Sequence, residues 1–418
     1  MTAPAFPPPV PRPAGAPLAL EGLRVADFSR MMAGPWCSLA LADLGAEVIK
    51  VEGPGGDDSR NYQPRIGGES AFYLSANRNK RGVVLDLKHP DGRRAARDLV
   101  ARSDILLENF SNGVMDRLGL GYAELCEEQP QLIYCSVSGY GRDDPSPVAR
   151  RGYDAMFQAE TGFMAMTGEP DGDPMRTTIP MMDLGSAMVA TNAILAAVIA
   201  RERLGRGQHL DLALFDVGLG LLSLFGMPWL IGAEEPVREG NRSSQTAPSD
   251  LYPTADGAIF VTCGNDRLYR RLTGEAMGRP DLRDDPDFAT NARRLRHRGR
   301  LTGLLREAFA TAGRETWIAR LTAAGVPVAP VRTMSEAYRS ADAGRRGLVG
   351  RIPHPSLGTV PNVAGPYRMG LTPQADPVAA PTLGQHTEAV LREVLGYDAA
   401  RVAALLRSGA CGAPPQEA

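Results

Sequence analysis

Lysine is nearly absent from this chain of 418 residues, in which almost all positive charge is arginine. The three lysines are Lys50, Lys80 and Lys88, and their early position disfavours a lysine that anchors pyridoxal phosphate. An excess of one charge is also missing, because 46 basic residues balance 48 acidic ones, and no nucleic-acid partner is expected. One basic run lacks interleaved aromatics and is interpreted as a solvated helix face: Arg293, Arg294, Arg296, Arg298 and Arg300.

Cysteine and histidine are scarce as well, with five of each in the chain. No C-x-x-C pair and no H-E-x-x-H motif occurs, so neither a disulfide framework nor a metal site is expected. Unpaired thiols suit a reducing compartment, which predicts a cytoplasmic protein.

Long apolar runs are few, and none has the form of a secretory signal. Residues 1–17 hold seven prolines and one charge, Arg12, and are expected to form a disordered tail. The run Val217–Ala233 is uncharged, but it contains Pro228 and directly follows Asp216. We interpret it as a buried core helix, so no membrane association is expected.

Strand-like and helix-like segments alternate in the first half of the chain. The short run Leu23–Phe28 precedes Pro35, which suits the first turn of a helix, and the strand-like A-E-V-I-K-V-E follows at Ala46–Glu52. The pattern recurs as far as Leu132–Ser138 and predicts parallel strands joined by right-handed crossovers. The predicted fold is therefore α/β, with a Rossmann-like large domain built on a mainly parallel sheet.

The composition of the sequence and the order of its predicted helices and strands change near residues 230 and 345. We assign residues 18–229 to the large α/β domain and residues 230–345 to a smaller α+β domain. Residues 346–418 begin rich in proline and glycine and end in helical segments, so they are interpreted as a linker and C-terminal helices.

Several common catalytic devices are missing. No G-x-G-x-x-G follows the first strand, and no G-x-x-x-x-G-K-[ST] loop occurs, so a standard dinucleotide or P-loop site is excluded. The lack of G-x-S-x-G leaves a serine-hydrolase elbow unsupported.

Carboxylates remain as candidates for chemistry, and Asp183 in P-M-M-D-L-G-S-A-M is the most distinctive. It lies between an extended run and a long apolar helix, at or near the helix N-terminus, where the dipole favours an anion. Two interpretations stay open from the residues alone: a helix-capping aspartate or a carboxylate nucleophile.

The chain resembles the family III CoA-transferases, the CaiB/BaiF group, from about Leu18 to Gly409. The resemblance rests on ordered motifs: G-L-R-V-A-D-F-S-R-M-M-A-G-P, A-D-L-G-A-E-V-I-K-V-E-G-P-G-G-D, N-K-R-G-V-V-L-D-L-K, D-I-L-L-E-N-F, M-D-L-G-S-A-M, R-E-R-L-G-R-G-Q-H-L-D-L-A-L-F-D and P-T-L-G-Q-H-T-E-A-V-L-R-E-V-L-G-Y.

This resemblance implies a CoA-transferase whose nucleophile is Asp183, acting through an aspartyl anhydride and an aspartyl-CoA thioester. The substrates implied are an acyl-CoA, with succinyl-CoA as a candidate donor, and a small carboxylic acid, with no permanently bound cofactor. It also implies an interlocked homodimer in which the C-terminal helices return to the large domain.

The same family contains α-methylacyl-CoA racemases, which are the alternative function. They carry a histidine before the aspartate of a G-x-D motif, and this chain has Gly152-Tyr153-Asp154 there. Tyrosine, with an ordinary pKa near 10, is a poor base at neutral pH, so Tyr153 favours the transferase.

The resemblance also implies the residues that contact CoA: Met32, Ala33, Leu85, Asp86, Lys88, Asn109, Phe110, Ser111, Arg117, Arg151, Gly152, Tyr153 and Asp154. For substrate binding it implies Met32, Tyr153 and Arg30. Met32 replaces a glutamine of the oxalate-using members, which disfavours oxalate as acceptor. Gly53 replaces an arginine found in some members, and Arg30 or Arg242 could read a distal carboxylate.

Overall fold

The computed structural model describes residues 6–144, 150, 152–232 and 234–412, which form two compact units. The larger unit comprises Met1–Phe163, Thr177–Met227 and Ala341–Ala418, and the smaller comprises Met164–Arg176 and Pro228–Ser340. The inclusion of Met164–Arg176 in the smaller unit has no counterpart in the sequence pattern.

The larger unit contains most of the regular structure. Its first part has the elements β1 Arg24–Asp27, α1 Ala33–Asp43, β2 Glu47–Glu52, β3 Arg65–Ile66, β4 Glu69–Ser70, α2 Ala71–Ala76, β5 Lys80–Val84, α3 Pro90–Val100, β6 Ile105–Glu108, α4 Val114–Arg117, α5 Tyr122–Glu128, β7 Ile133–Ser138, α6 Asp154–Glu160, α7 Met181–Leu204, β8 His209–Ala213 and α8 Leu214–Leu221. A further helix, α9, spans Ser223–Gly232 at the unit boundary.

Six strands form one parallel sheet in the order β5-β2-β1-β6-β7-β8, which confirms the predicted Rossmann-like architecture. The chain moves outward from β1 through β2 to β5, and then outward on the other side from β6 to β8. The strand order therefore reverses between β1 and β6, and the crevice outside their carboxyl ends is where such sheets bind ligands.

Apolar side chains cover both faces of this sheet. One buried cluster includes residues of α3, α5 and the C-terminal helices, and the other includes residues of α1 and α7. Glycine ends α1 sharply: Gly45 has φ +105°, and a Cβ there would lie 2.3 Å from Leu18 Cβ. α7 ends in the same way, at Gly205 with φ +69°.

The smaller unit is α+β, as predicted. Its elements are β9 Ser249–Pro253, β10 Ala258–Thr262, α10 Asp266–Arg270, a π-helical segment Arg271–Ala276, α11 Pro280–Arg283, α12 Asn291–Arg296, α13 Arg298–Phe309, α14 Arg314–Ala323, β11 Val328–Pro330 and α15 Met334–Tyr338. The three strands are antiparallel, in the order β11-β10-β9.

The interpretation of the arginine run as a solvated face is wrong for Arg294. This side chain is fully buried and donates to the carbonyls of Ala247 and Phe288 and to Asp266. It lies 4.5 Å from the Tyr269 ring centroid, so the arginine links several segments of the smaller unit.

The C-terminal part contains α16 Ala341–Arg345, β12 Val349–His354, β13 Gly358–Val363, α17 Thr387–Glu393 and α18 Ala399–Arg407. The start of α17 covers the edge strand β5: Gly82 N–H donates to His386 Nδ1 (3.1 Å) and Val84 N–H to Thr387 Oγ1 (3.0 Å). These contacts use donors that an edge strand would otherwise expose.

Residues 6–17 contain no helix or strand, yet they have defined neighbours. The Pro7 carbonyl accepts from Arg351 N–H (3.2 Å), and Arg12 N–H donates to Asp376 (2.8 Å). Composition alone did not predict these contacts.

The prediction of one buried core helix at Val217–Ala233 is wrong. The described part of this run forms α8 and α9, bent by 70° relative to each other, and α9 contains no buried residue. Its exposed apolar side chains are Leu224, Phe225, Met227, Trp229, Leu230 and Ile231. By length and composition, α7 and the bent pair α8–α9 could each cross a membrane, but α7 packs against α1 and the sheet.

Candidate active site

The crevice at the strand-order reversal is bounded by the loops that follow β1 and β6. The Asn109 side chain joins them: its Nδ2 donates to the Arg30 carbonyl and its Oδ1 accepts from Arg30 N–H, both at 2.8 Å. The exposed Arg30 guanidinium lies 5.1 Å from the Phe110 ring centroid. Three of the predicted site residues are therefore brought together here.

The loop after β1 contains a backbone conformation that side chains rarely adopt. Met31 has φ +67°, and its N–H points at the Asp57 carboxylate, 3.2 Å from Oδ1 and 3.3 Å from Oδ2. Lys50 Nζ lies 2.9 Å from Asp57 Oδ2 and donates to the Ser29 carbonyl at 2.8 Å. A buried ion pair thus fixes the backbone that leads to Met32 and Ala33, where α1 begins.

The charges of this pair support each other. Burial alone would raise the pKa of Asp57, but Lys50 and the Ser59 hydrogen bonds outweigh it and lower the pKa. Burial alone would lower the pKa of Lys50, but Asp57, Asp27 and Glu52 outweigh it and raise the pKa. Both groups therefore stay ionised around neutral pH.

Asp183 is the third residue of α7, in its first turn. Because α7 crosses from β7 back to β8, its N-terminus lies at the carboxyl edge of the sheet, as does the start of α1. Within the described residues the Asp183 carboxylate has no hydrogen-bond or ion-pair partner. Burial, and then the nearby Asp154, raise its pKa to about 7.

Helix capping, one of the two sequence interpretations of Asp183, is supplied by another residue. The N-cap position of α7 is Pro180, which offers no side-chain cap. Asp154 Oδ2 instead accepts from Met182 N–H (2.9 Å) and Asp183 N–H (3.4 Å). The Asp183 side chain is thereby left without a structural task in its own helix.

The segment around Asp154 lies beside this helix start. Glycine at position 152 lets the backbone lie close to the Phe157 ring, because a Cβ there would lie 2.5 Å from Phe157 Cζ. Tyr153 is 72% exposed and can meet a ligand. Arg151, also predicted to contact CoA, lies outside the described residues.

The remaining predicted contacts differ in accessibility. The Leu85 side chain is buried in the apolar core and cannot contact CoA. Only the Leu85 backbone remains for the predicted contact. Lys88, Ser111 and Arg117 are exposed, and the partly buried Asp86 accepts from Lys88 N–H at 2.9 Å. The partly buried Met32 directly precedes the buried Ala33.

Among the described residues, no group of three histidine, cysteine or acidic side chains is placed to hold a metal ion. All five cysteines are free thiols, and four of them are buried.

Sequence reasoning missed the residues that support the site from behind. The sequence assigned no role at the site to the Lys50–Asp57 pair or to Gln158, which contacts Asp154. One usable signal was the lysine flanked by apolar residues in V-I-K-V, because a buried cation requires a buried anion.

The fold and site define an open parallel α/β protein in which a partly buried carboxylate, unpaired among the described residues, lies at a helix start on the carboxyl edge of the sheet. The chain belongs to CoA-transferase family III, whose family model matches residues 20–387. It is thus an enzyme of the group that transfers CoA, and the resemblance to the CaiB/BaiF proteins is confirmed.

Relatives of known activity cover nearly the whole chain. Succinyl-CoA:glutarate CoA-transferase of Mus musculus is 36% identical over 394 residues, 93% of this chain and 89% of the relative. Succinyl-CoA:mesaconate CoA-transferase of Haloarcula hispanica is 35% identical over 385 residues, 90% of this chain and 96% of the relative. A crystal structure of a CaiB/BaiF family protein from Brucella suis matches with a TM-score of 0.83 and 36% identity, covering 90% of this chain and 100% of that one.

Proposed function

We propose that this enzyme transfers CoA from succinyl-CoA to a small dicarboxylic acid, with Asp183 as the nucleophile. The observation that carries the proposal is the state of the Asp183 carboxylate. It is partly buried, it has no partner among the described residues, and its pKa is raised to about 7. The donor and the acceptor class are taken from the relatives, which use succinyl-CoA with glutarate or mesaconate.

The reaction proceeds through covalent states of one side chain. An Asp183 oxygen attacks the thioester carbonyl, the C–S bond breaks, and CoA leaves as a thiolate, which produces a mixed anhydride. The thiolate attacks the aspartyl carbonyl, forms the enzyme–CoA thioester and releases the donor carboxylate. The acceptor carboxylate then repeats both steps in reverse, and its CoA ester leaves the free Asp183.

CoA binds in this proposal at the carboxyl edge of the sheet. The free N–H groups at the start of α1, beside Met32 and Ala33, suit an anionic group. Exposed Lys88 and Arg117 supply cations for phosphates, and Asn109, Phe110 and Ser111 form the opposite loop. CoA enters and leaves as a substrate and is not permanently bound.

Arg30 is the candidate for recognising the second carboxylate of the acceptor. It is exposed at the crevice, its backbone is fixed by Asn109, and its nearest acidic group, Asp58 Oδ2, lies 3.8 Å from Nη1. A weak, exposed ion pair of this kind exchanges readily for a substrate carboxylate. Tyr153 is proposed to contact the substrate from the α6 side.

The proposal is tested by incubating the enzyme with succinyl-CoA and a panel of mono- and dicarboxylic acids, with products read by mass. New CoA esters are expected for dicarboxylates of four or five carbons, and Arg30→Gln should raise their KM more than that of monocarboxylates. Exchange of the α-proton with deuterated water, without any acceptor and without CoA transfer, would instead support the racemase alternative.

We further propose that the protein is an interlocked homodimer in the cytoplasm. The apolar surface of α9 supports an assembly, since six large apolar side chains there are exposed in one chain. Sedimentation should give twice the chain mass of 44.7 kDa at micromolar concentration, and a monomer at that concentration would contradict the proposal.

A further inference from the structure

A chain of hydrogen-bonded polar side chains, of which the central one is buried, lies behind the start of α7. Asp154 Oδ1 accepts from Gln158 Nε2 at 2.5 Å, one helical turn further along α6. Gln158 Oε1 in turn accepts from Thr177 N–H (2.9 Å) and Thr177 Oγ1 (3.3 Å). Thr177 Oγ1 also donates to the Ile179 carbonyl (2.8 Å), just before the helix begins.

Gln158 is the member of this network whose burial is most unfavourable. Gln158 is fully buried, and an amide moved out of water must be compensated by hydrogen bonds. Both ends of the Gln158 amide are used, one toward Asp154 and one toward Thr177. The backbone entering α7 and the first turn of α7 are therefore held from the same helix, α6.

We propose that Asp154 is a positioning residue for the nucleophile: it holds the first turn of α7 by two N–H groups, and its negative charge favours the acylated form of Asp183 over the free carboxylate. The inference rests on the proposed role of Asp183. It assigns to Asp154 a role distinct from the CoA contact that the resemblance implies.

Acylation removes the negative charge of the Asp183 carboxylate. When the Asp183 oxygen bonds to the acyl carbon, the C–S electron pair leaves with sulfur, so one negative charge departs from residue 183. The anhydride and the thioester at this position are neutral. A fixed negative neighbour therefore destabilises only the free carboxylate and shifts the equilibrium toward the covalent states.

Other ionisable groups on the elements packed against α7 do not duplicate this effect. They are Glu160 on α6, Cys37 and Asp43 on α1, Asp216 on α8, Tyr134 and Cys135 on β7, and His209 and Asp211 on β8. Besides burial, the group that raises the pKa of Asp183 is Asp154.

The test separates charge from hydrogen bonding with three variants. Asp154→Asn removes the charge but places an amide against the Gln158 amide. Asp154→Asn combined with Gln158→Glu keeps every hydrogen bond and the net charge, and moves the charge one side chain away from Asp183. Glu160→Gln removes a charge from the exposed end of the same helix and is the matched control.

The readouts are the pH dependence of acyl-enzyme formation and the fraction of enzyme acylated at steady state. For both Asp154→Asn variants, the acid limb should move to lower pH by about one unit, and the acylated fraction should fall severalfold. The double variant should recover the thermal stability that Asp154→Asn loses. Glu160→Gln should match the wild type.

An unchanged acid limb and acylated fraction in the double variant would overturn the charge role. A double variant as unstable and as slow as Asp154→Asn would overturn the hydrogen-bonding role. Absence of any adduct on the wild-type enzyme would instead overturn the proposed nucleophile, so the two failures are distinguishable.

Discussion

Two carboxylates at the carboxyl edge of the sheet, Asp57 and Asp183, are both withdrawn from water but differ in their neighbours. Asp57 lies against the Lys50 ammonium and accepts backbone hydrogen bonds, and its pKa is lowered. Asp183 has no cation beside it among the described residues but has Asp154 nearby, and its pKa is raised to about 7. Burial alone does not make a carboxylate reactive, because the sign of the neighbouring charge decides the outcome.

Removal of the unpaired carboxylate should have the largest effect. Asp183→Ala is expected to lower kcat by about a thousandfold or more, since no other group can carry the acyl intermediate. Affinity for CoA, measured by titration calorimetry, should change by only a fewfold because the crevice loops are untouched. Turnover retained by Asp183→Ala would contradict the proposed difference between the two carboxylates, since Asp183 would then be no more reactive than Asp57.

Removal of the cation should affect folding instead of chemistry. Lys50→Met leaves the Asp57 carboxylate buried without a cation, and we expect a loss of about 3–5 kcal/mol in the free energy of unfolding. Lys88→Met, at an exposed lysine, is the control and should change that free energy by less than about 0.5 kcal/mol. Equal denaturation midpoints for the two variants would show that the buried pair does not hold the loop.

The two carboxylates should also titrate in different ranges. The Asp183 nucleophile must be ionised, so the rate of acylation should fall about tenfold per pH unit below pH 7 and level off above it. Since the folded pKa of Asp57 is depressed, its stabilisation is present above the unfolded value and is lost only as the pH falls through the folded pKa. Since the folded pKa of Lys50 is raised, its stabilisation is present below the unfolded value and is lost as the pH rises through the folded pKa.

Rapid-quench measurement of acyl-enzyme formation between pH 5 and 8 tests the first range. Chemical unfolding at the same pH values should show a constant contribution of the ion pair, because both of its groups stay ionised there. An acylation rate that is flat across this interval would contradict the assignment of the titrating group to Asp183.

The smallest effect should come from the tether between the two crevice loops. Asn109→Ala removes two hydrogen bonds to the Arg30 backbone, each with a net value of about 1 kcal/mol. We expect the KM for acyl-CoA to rise by up to about tenfold with little change in kcat, as steady-state kinetics would show. Asn112→Ala, which removes a side-chain bond to the Gly141 carbonyl, is the matched control.

Local patterns in the sequence were sufficient to predict the parallel sheet. Apolar runs separated by helix signals such as Pro35 and Gly45 specify strands and crossovers without knowledge of long-range contacts. Arg294 could not be predicted, because its partners lie on segments distant in the sequence. The prediction for the apolar run of α8 and α9 was wrong for a related reason. Composition identifies an apolar helix but does not show which part of the protein covers it.

The site was predicted unevenly. Asp183 was identified because a motif marks it, and the structure shows that Asp154 supplies the capping contact, while the role of Asp183 as nucleophile stays a prediction. The loop after β1 is held by contacts of Asp57 with the Lys50 ammonium and the Met31 N–H, and no local sequence pattern predicts these contacts. Buried polar contacts of this kind depend on the geometry of the whole fold.

The most direct test of the account is covalent trapping on the wild-type enzyme. The enzyme is mixed with succinyl-CoA, quenched with hydroxylamine during turnover, digested and read by mass spectrometry, with Asp183→Ala treated in parallel. The account predicts a hydroxamate on Asp183 that requires both the donor and an intact carboxylate. Active enzyme that never shows an adduct at Asp183, or that shows one on a different carboxylate, would contradict it.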